Sequence, residues 1–208
     1  MKFREVLQGR PAFDGVFKER INMPVIIDQF GDGPLKDHLI PGPDNVFFTG
    51  YFPGATGLIL EAHGRYYHEA WGFDASFEAQ EGAELSKFLD SFTDGRDFMN
   101  VATSGGDFAG SIAVDGAVGG PDEARLRWFL VLPLFQGRGI GKFLISSAMD
   151  FCRSTGHTRV HLWTFEGLDV ALRLYRKEGF KLVEQQTVRR WGRETIKEQK
   201  LLVDLDRE

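Results

Sequence analysis

Residues 136–141 read Gln-Gly-Arg-Gly-Ile-Gly, with three glycines at alternate positions between an apolar run and a helical pattern. The apolar run covers residues 126–133, and the helical pattern continues to Thr155. Glycines between a strand and a helix let the backbone approach an anionic ligand closely. The helix N-terminus adds free N–H groups and the positive end of a dipole. The stretch therefore predicts a loop that binds a pyrophosphate.

Spacing excludes the two best-known phosphate-binding loops. A P-loop requires glycine where Gln136 stands, and serine or threonine where Phe143 stands. The dinucleotide fingerprint G-x-G-x-x-G fails because its third glycine comes one residue early, at Gly141. About 20 positions further on, where that fingerprint expects an acidic side chain for a ribose, residues 160–162 contain none.

The residues around the loop resemble the GCN5-related N-acetyltransferase (GNAT) family. The acetyl-CoA signature of the family, Q/R-x-x-G-x-G/A, matches residues 136–141, and its V-x-P-x-[YF] approach matches residues 131–135. Downstream, residues 159–164 resemble the next strand of the family, and residues 171–180 match its A-x-x-L-Y-x-x-x-G-F segment. Residues 51–79 resemble the front half of one branch of the family, less specifically. The matching segments follow one another in the order of the family.

The resemblance implies an α/β fold in which helices flank a mixed, mostly antiparallel central sheet. The predicted order of strands and helices after residue 98 favours the same class. We expect an N-acetyltransferase domain over residues 51–208 and an N-terminal extension of unknown role over residues 1–50. The extension is rich in proline and glycine and contains one candidate strand, residues 25–27. One hypothesis makes it an arm that binds a partner or a second copy.

Hydrophobic spacing predicts the individual elements of the domain. In chain order these are a strand, or a strand leading into a helix, at 55–61; helices at 66–70 and 77–92; strands at 98–103, 108–114 and 125–132; a helix from 140 towards 156; a strand at 159–164; a helix from 168 to 179; and strands at 180–188 and 195–205.

The resemblance also implies how acetyl-CoA, the co-substrate, is held. Loop N–H groups would bond the pyrophosphate, Arg138 and Lys142 would add charge, and a Cβ in place of a glycine hydrogen would push the phosphate away. Backbone N–H groups of the central strand, where it splays from its neighbour, would polarise the acetyl carbonyl. The expected cofactor-binding residues are Leu130, Val131, Gln136, Gly137, Arg138, Gly139, Ile140, Gly141 and Lys142.

Tyr175 is the expected catalytic residue. It stands where many family members place a tyrosine whose hydroxyl protonates the coenzyme A thiolate, and a phenol stays protonated at neutral pH. Tyr175 also fits the apolar stripe of its helix, so pure packing is the alternative. The general base has several candidates, each with a structural or solvated alternative: His63, Tyr67, Glu78 and Glu166.

Three other features of the sequence bear on the site, and each can be interpreted in more than one way. Leu168 stands where many relatives carry asparagine, with Asp169 beside it, which implies that one side-chain contact to the cofactor is lost or replaced. Trp163 either walls the acceptor pocket or packs in the core, and packing is favoured. The arginines within residues 189–193 are interpreted as solvated charge on a turn rather than as a nucleic-acid site.

Bulk properties narrow the class of protein. A chain of 208 residues with 42% hydrophobic and 26% charged residues is typical of one globular domain, and a net charge of −5 argues against general nucleic-acid binding. The single cysteine, Cys152, fits a reducing compartment, and its place on an apolar helix face indicates core packing. We expect no membrane span, a cytoplasmic location and, since the histidines lack ligand spacing, no metal.

The sequence thus predicts an enzyme, an acetyl-CoA-dependent N-acetyltransferase that moves the acetyl group directly to a primary amine of a small molecule or peptide. The alternative is an acyl-CoA-binding sensor or regulatory module without turnover. Tyr175 favours the enzyme, whereas the unassigned base and Leu168 leave the module open. The resemblance allows a homodimer, and the acidic net charge weakly favours a cationic acceptor.

Overall fold

A computed structural model describes residues 40–41, 46–118, 120 and 122–205, so the candidate strand at 25–27 lies outside the described residues. The elements, in chain order, are β1 (Ile40–Pro41), β2 (Val46–Thr49), α1 (Ala55–Trp71), α2 (Ala75–Asp90), β3 (Phe98–Ser104), β4 (Asp107–Asp115), β5 (Glu123–Val131), a 3-10 turn (Pro133–Phe135), α3 (Ile140–Ser154), β6 (Arg159–Phe165), α4 (Asp169–Lys177), β7 (Lys181–Arg190) and β8 (Arg193–Asp204).

The described strands form one eight-stranded sheet in the order β1-β2-β3-β4-β5-β6-β8-β7. Every neighbouring pair is antiparallel except β5 and β6, which run parallel and pair only where residues 123–125 face residues 159–161. Beyond these residues the two strands part, and a gap opens towards their carboxyl ends. The expected mixed, mostly antiparallel sheet is confirmed. It already includes β2, within the range assigned from sequence to the extension.

Helices cover both faces of the sheet and create two main cores. On one face, α3 and α4 bury Leu144, Ala148 and Leu172 against Leu126 and Leu162 of the sheet. On the other face, α1 and α2 bury a second set, Ile59, Leu85 and Phe88, against Val101 and Leu130. Each leucine, isoleucine, valine or phenylalanine among them contributes about 1.5–3 kcal/mol when fully buried.

Cys152 belongs to the α3 core, as expected. Its side chain is fully buried, and burial raises the pKa of the thiol to about 12. The thiol is therefore protonated at neutral pH and acts as a small apolar side chain.

The segment at 55–61 is helical, and the strand interpretation of it is wrong. One continuous helix, α1, begins directly after Pro53-Gly54, and Gly54 takes the left-handed backbone conformation (φ 95°). The residues that α1 buries include Ala55, Ile59 and Ala62, whose spacing is helical rather than alternating. The short apolar run had allowed both interpretations because it is too brief to separate the two periods.

The predicted hairpin of β3 and β4 is confirmed, and its turn is Gly105-Gly106. Both glycines have positive φ, 59° and 91°, as a two-residue type I′ turn requires. The predicted helix at 66–70 is the carboxyl-terminal part of α1, and the other predicted strands and helices are present with boundaries that differ by a few residues. Within the described residues, no helix is both long and apolar enough to cross a membrane.

A β-bulge in β5 was not anticipated. Arg127 pairs with Ala113 and Leu130 pairs with Ser111, so Trp128 and Phe129 together lie opposite one residue of β4. Trp128 has a φ of 45°, in the left-handed region, and its carbonyl oxygen accepts a hydrogen bond of 2.8 Å from the Ser111 hydroxyl.

The bulge changes which face of the sheet the side chains of β5 meet. Leu126 packs in the α3 core, whereas Trp128 and Leu130 pack in the core formed with α1 and α2. In a regular strand these three side chains would share one face. The adjacent residues Arg127 and Trp128 both reach carboxylates of α2, because the extra residue turns them to the same side.

We predict that Gly110→Ala destabilises the fold, because the close approach of β4 to β5 at the bulge leaves no room for a side chain. A Cβ at residue 110 would lie 2.5 Å from the Leu130 carbonyl oxygen, which is backbone and cannot move aside cheaply. We expect a loss of about 1–3 kcal/mol in the free energy of unfolding, measured by urea denaturation.

Gly57→Ala is the matched control. A Cβ there meets no atom within 4 Å, and the residue lies in α1. Alanine in an exposed helix interior is favoured over glycine by about 0.8–1 kcal/mol, so this variant is expected to gain stability. A Gly110→Ala protein as stable as wild type would contradict the close packing at the bulge.

Candidate active site

A cavity of about 720 Å³ lies where β5 and β6 part. Its walls come from α1, α2, the carboxyl-terminal half of β5, the loop that leads into α3, the end of β6, α4 and the β7–β8 hairpin. The loop side is rich in glycine and basic residues, and the opposite side is rich in aromatic residues. The volume lies in the range of small-molecule sites, roughly 300–1,000 Å³.

The glycine loop carries backbone amides suited to an anion. Gly137 and Gly139 both have a φ of 81°, which places them in the left-handed region. The first helical bond of α3 runs from the Phe143 N–H to the Gly139 oxygen, so the N–H groups of residues 140–142 have no partner within the helix. The first turn of α3 contains no acidic side chain, and its N-cap Gly139 supplies no capping side chain. This end of the cavity therefore offers free donors and a positive dipole end.

Gly141 lies where α3 packs against α4 and β5. A Cβ there would lie 3.2 Å from a Leu174 methyl group and 3.5 Å from a Val131 methyl group. Its missing side chain lets α3 pack closely against α4 and β5. Steric room for the phosphate at the loop glycines stays a prediction, whereas the positive φ of Gly137 and Gly139 favours glycine there by backbone conformation alone.

The pairing register separates the amides of Leu130 and Val131. The Leu132 N–H donates to the Ala109 oxygen on β4, and N–H directions alternate along a strand. The Leu130 N–H therefore points to Ser111 on β4, and the Val131 N–H points to the edge left open by β6. On the same edge, the Gln136 side-chain amide donates to the Val131 oxygen at 2.9 Å.

Basic side chains surround the loop. Lys142, Arg173 and Lys177 line the cavity, and the guanidinium of Arg138 lies 5.5 Å from the ring centre of Phe135. Leu168 lines the cavity as the N-cap residue of α4 and makes no side-chain cap; the loss of a side-chain contact to the cofactor at this position stays a prediction.

Tyr175 lines the cavity from α4 and is 5% exposed. Its ring contacts Phe129 and Phe180, with ring centres 5.7 and 5.8 Å apart. Burial raises the pKa of its hydroxyl, so the phenol is protonated at any neutral pH. The packing role and access to the cavity are therefore both present in the structure.

The far side of the cavity is an aromatic wall. Tyr67 lies at its centre, with ring centres 5.6 Å from Trp71, 5.0 Å from Phe77 and 5.4 Å from Phe165. Trp191, at the tip of the β7–β8 hairpin, completes the wall at 5.0 Å from Phe77. We use the term aromatic wall for these five side chains. Trp163, for which core packing was favoured, also borders the cavity and is half-buried.

The hairpin reaches this position through contacts with α2 and the residue before it. The Trp191 indole N–H donates to the Gln80 side chain at 3.0 Å, and the Asp74 N–H donates to the Trp191 carbonyl oxygen at 3.1 Å. Trp191 and Gly192 have φ values of 56° and 73°, as in a type I′ turn.

Arg190 contradicts the interpretation of the hairpin arginines as solvated charge. It lines the cavity, stacks 4.2 Å from the ring centre of Trp191 and forms an ion pair with the buried carboxylate of Glu198. Arg189 fits the interpretation, since it is exposed and pairs with the exposed Glu194. Sequence alone could not separate them, because Glu198 lies opposite Gln186 in the β7–β8 register and its ion pair with Arg190 is a side-chain contact that no local pattern encodes.

Two of the four candidates for a general base border the cavity. His63 and Tyr67 line the cavity. Glu78 is exposed and lies against Gly64 of α1, and Glu166 is exposed and pairs with Lys197 at 3.0 Å; neither borders the cavity.

Glu81 is the acidic residue that sequence reasoning missed. It lines the cavity from α2 and accepts a hydrogen bond of 2.8 Å from the Trp128 indole N–H. Burial raises the pKa of its carboxyl, with the neighbouring Glu84 adding to the shift. Its helical spacing of four from Phe77 was the available signal. Within the described residues, no group of three His, Cys, Asp or Glu side chains is arranged to hold a metal ion.

We predict that His63 makes stability depend on pH. Its Nδ1 lies 2.8 Å from the Ile59 oxygen, and burial lowers its pKa from 6.5 to about 4. The unfolded chain therefore binds a proton at His63 between pH 6.5 and 4 while the folded chain does not. The free energy of unfolding should fall by up to about 3 kcal/mol as the pH drops through this window.

Urea unfolding at pH 7 and at pH 4.5 measures this effect, with His63→Gln as the comparison. The glutamine variant keeps a polar side chain that does not titrate, so its stability should change less over the same interval. Equal changes in both proteins would show that His63 is not the group responsible.

Comparison with known proteins places these features in a family. Residues 59–180 match the acetyltransferase (GNAT) family. An uncharacterized N-acetyltransferase of Methanocaldococcus jannaschii is 34% identical over 72 residues, a match that covers 35% of this chain and 31% of that protein.

Solved structures share the fold at low identity. YncA from Salmonella typhimurium, solved with its cofactor acetyl-CoA, is 15% identical with a TM-score of 0.64, over 79% of this chain and 96% of that chain. A GNAT-family acetyltransferase from Streptococcus pneumoniae is 16% identical with a TM-score of 0.59, over 77% and 99% of the two chains. With a glycine loop at the start of α3 and a family match over more than half of its length, the chain belongs to the acetyltransferase (GNAT) family.

Proposed function

We propose that this protein is an acetyl-CoA-dependent N-acetyltransferase that transfers the acetyl group directly to a primary amine of a small molecule or peptide. The observation that carries the proposal is one cavity bordered both by the glycine loop with its free amides and by Tyr175. The membership of the family supports the reaction class.

The residues present fit acetyl-CoA. The amides of residues 140–142 and the left-handed Gly137 and Gly139 suit the pyrophosphate, and Lys142 adds positive charge. Bound acetyl-CoA supplies an activated thioester. The Val131 N–H, on the open edge of β5, is placed to donate to the carbonyl oxygen as negative charge develops there. The Leu130 amide remains in the β4–β5 ladder, and the Leu130 side chain lines the cavity.

Tyr175 acts as the acid in this proposal. The leaving thiolate needs a proton, and the Tyr175 hydroxyl can donate one from a site where burial raises the pKa of the phenol. Burial disfavours the phenolate that donation would leave, so the hydroxyl must be reprotonated in the same turnover. The second proton of the amine nitrogen, lost as the amide forms, balances this transfer.

The sensor alternative, acyl-CoA binding without turnover, has no specific observation in its favour, and it becomes an outcome of the test. The single buried cysteine supports the proposed cytoplasmic location, because it requires no oxidising compartment.

We predict that Tyr175→Phe lowers kcat by roughly 10²- to 10⁴-fold, the usual contribution of general acid catalysis, with little change in the Kd for acetyl-CoA. The substitution keeps the ring that packs against Phe129 and Phe180. Calorimetry measures acetyl-CoA binding, and release of the coenzyme A thiol measures turnover against a panel of primary amines.

Tyr51→Phe is the matched control, because Tyr51 is 53% exposed and does not border the cavity. It should keep wild-type turnover. Binding of acetyl-CoA without turnover on any amine would support the sensor instead. Absence of binding would reject the assignment of the glycine loop as the acetyl-CoA site. Full activity in Tyr175→Phe would remove Tyr175 from the mechanism.

A further inference from the structure

Glu81 places a carboxylate on the cavity wall opposite the glycine loop. It lies on the cavity wall, half-buried, and its hydrogen bond comes from the neutral Trp128 indole. Within the described chain, no ion pair joins Glu81 to a basic side chain. A desolvated carboxylate with one neutral donor is suited to receive a cation from the cavity.

The nearby arginines are already committed to other carboxylates. Arg127 pairs with Glu84 and lies 3.4 Å from Asp115, and Arg125 lies 3.9 Å from Glu84. On the hairpin, Arg190 pairs with Glu198. Arg127 and Arg125 also attract Glu81, which lowers the pKa of its carboxyl against the larger effect of burial. Their ion pairs are with other carboxylates, however, so Glu81 has no ion pair of its own among the described residues.

Burial has opposite consequences for His63 and Glu81, two cavity-lining groups that could accept a proton. At His63, burial disfavours the imidazolium and lowers the pKa to about 4. At Glu81, burial favours the protonated carboxyl and raises its pKa. Tyr67 and Tyr66, which line the same side, are already protonated, because burial raises the pKa of each phenol. The surroundings therefore favour proton acceptance at Glu81.

We propose that Glu81 binds the ammonium group of the acceptor and removes its proton, and that the acceptor is a primary amine with an apolar body and no other charge. The aromatic wall is the surface for that body, since aromatic rings attract both apolar groups and organic cations. This inference rests on the proposed N-acetyltransferase function.

The protons balance over one turnover. The N–H bond of the ammonium breaks and its proton moves to a Glu81 oxygen, which frees the nitrogen lone pair. The nitrogen then attacks the acetyl carbonyl carbon, a C–N bond forms, and the C–S bond to coenzyme A breaks. The leaving thiolate takes a proton from the Tyr175 hydroxyl, and the second proton lost by the nitrogen restores that hydroxyl. Glu81 releases its proton to solvent, so each turnover consumes one ammonium ion and releases one proton.

The first test compares Glu81→Gln with Glu78→Gln, using 2-phenylethylamine as the acceptor. Both residues lie on α2, but Glu78 is exposed and outside the cavity. At pH 7, we expect kcat/KM to fall by roughly 10²- to 10⁴-fold in Glu81→Gln and to stay at the wild-type value in Glu78→Gln. Unchanged acetyl-CoA binding by calorimetry would show that Glu81→Gln is folded.

The pH profile separates a catalytic role from a structural one. Without Glu81, only the free amine can react, so kcat/KM should rise by about tenfold per pH unit below the amine pKa of roughly 10. The wild type should instead be nearly flat above the pKa of Glu81. The charged groups facing Glu81 are Glu84 on α2, Arg125 and Arg127 on β5, and Arg190 and Glu198 on the hairpin; all remain in the variant.

A second matched pair tests the acceptor class. L-Phenylalanine has the body of 2-phenylethylamine plus a carboxylate beside the nitrogen, which would face Glu81 and be repelled. We expect the wild type to prefer 2-phenylethylamine. Preference for L-phenylalanine, or a Glu81→Gln enzyme with wild-type kcat/KM and pH profile, would overturn the inference while leaving the N-acetyltransferase function intact. Absence of turnover on every amine would instead reject the proposed function.

Discussion

The bulge at Trp128 is the constraint on which the candidate site depends. One extra residue in β5 makes Arg127 and Trp128, neighbours in the chain, point to the same side and meet Glu84 and Glu81 on successive turns of α2. A regular strand would send one of the two side chains into the α3 core. The left-handed backbone of Trp128 is costly for a side chain of that size, and the hydrogen bond from Ser111 helps to hold it.

The parting of β5 and β6 complements the bulge. Their parallel pairing ends after three residues, so the β6-facing edge of β5 keeps unpaired backbone groups while the other edge stays in the ladder with β4. The glycines of this region have two different structural roles. Gly137 and Gly139 permit the backbone turn into α3, whereas Gly110 and Gly141 permit close packing of the layers around it.

Protonation in the cavity is controlled mainly by burial. The same loss of water keeps the Tyr175 phenol protonated, keeps the His63 imidazole neutral and makes the Glu81 carboxyl a better proton acceptor. The arginines nearby act mainly as partners for other carboxylates, so they hold α2, β5 and the β7–β8 hairpin together around the cavity. The contacts that hold α2, β5 and the β7–β8 hairpin around the cavity therefore also exclude the water that would otherwise surround its titratable groups.

The sequence by itself determined the order of strands and helices after residue 98, the glycine loop before α3 and the helix that carries Tyr175 to the cavity, because each is carried by local spacing or a compact motif. Only the tertiary structure decided that Glu81 lies in the cavity and that Arg190 is paired rather than solvated. Glu81 and Trp128 are 47 residues apart, and the contacts of the hairpin tip with α2 span 111. Such contacts depend on register and on a bulge that alternation cannot reveal, so no local pattern encodes them.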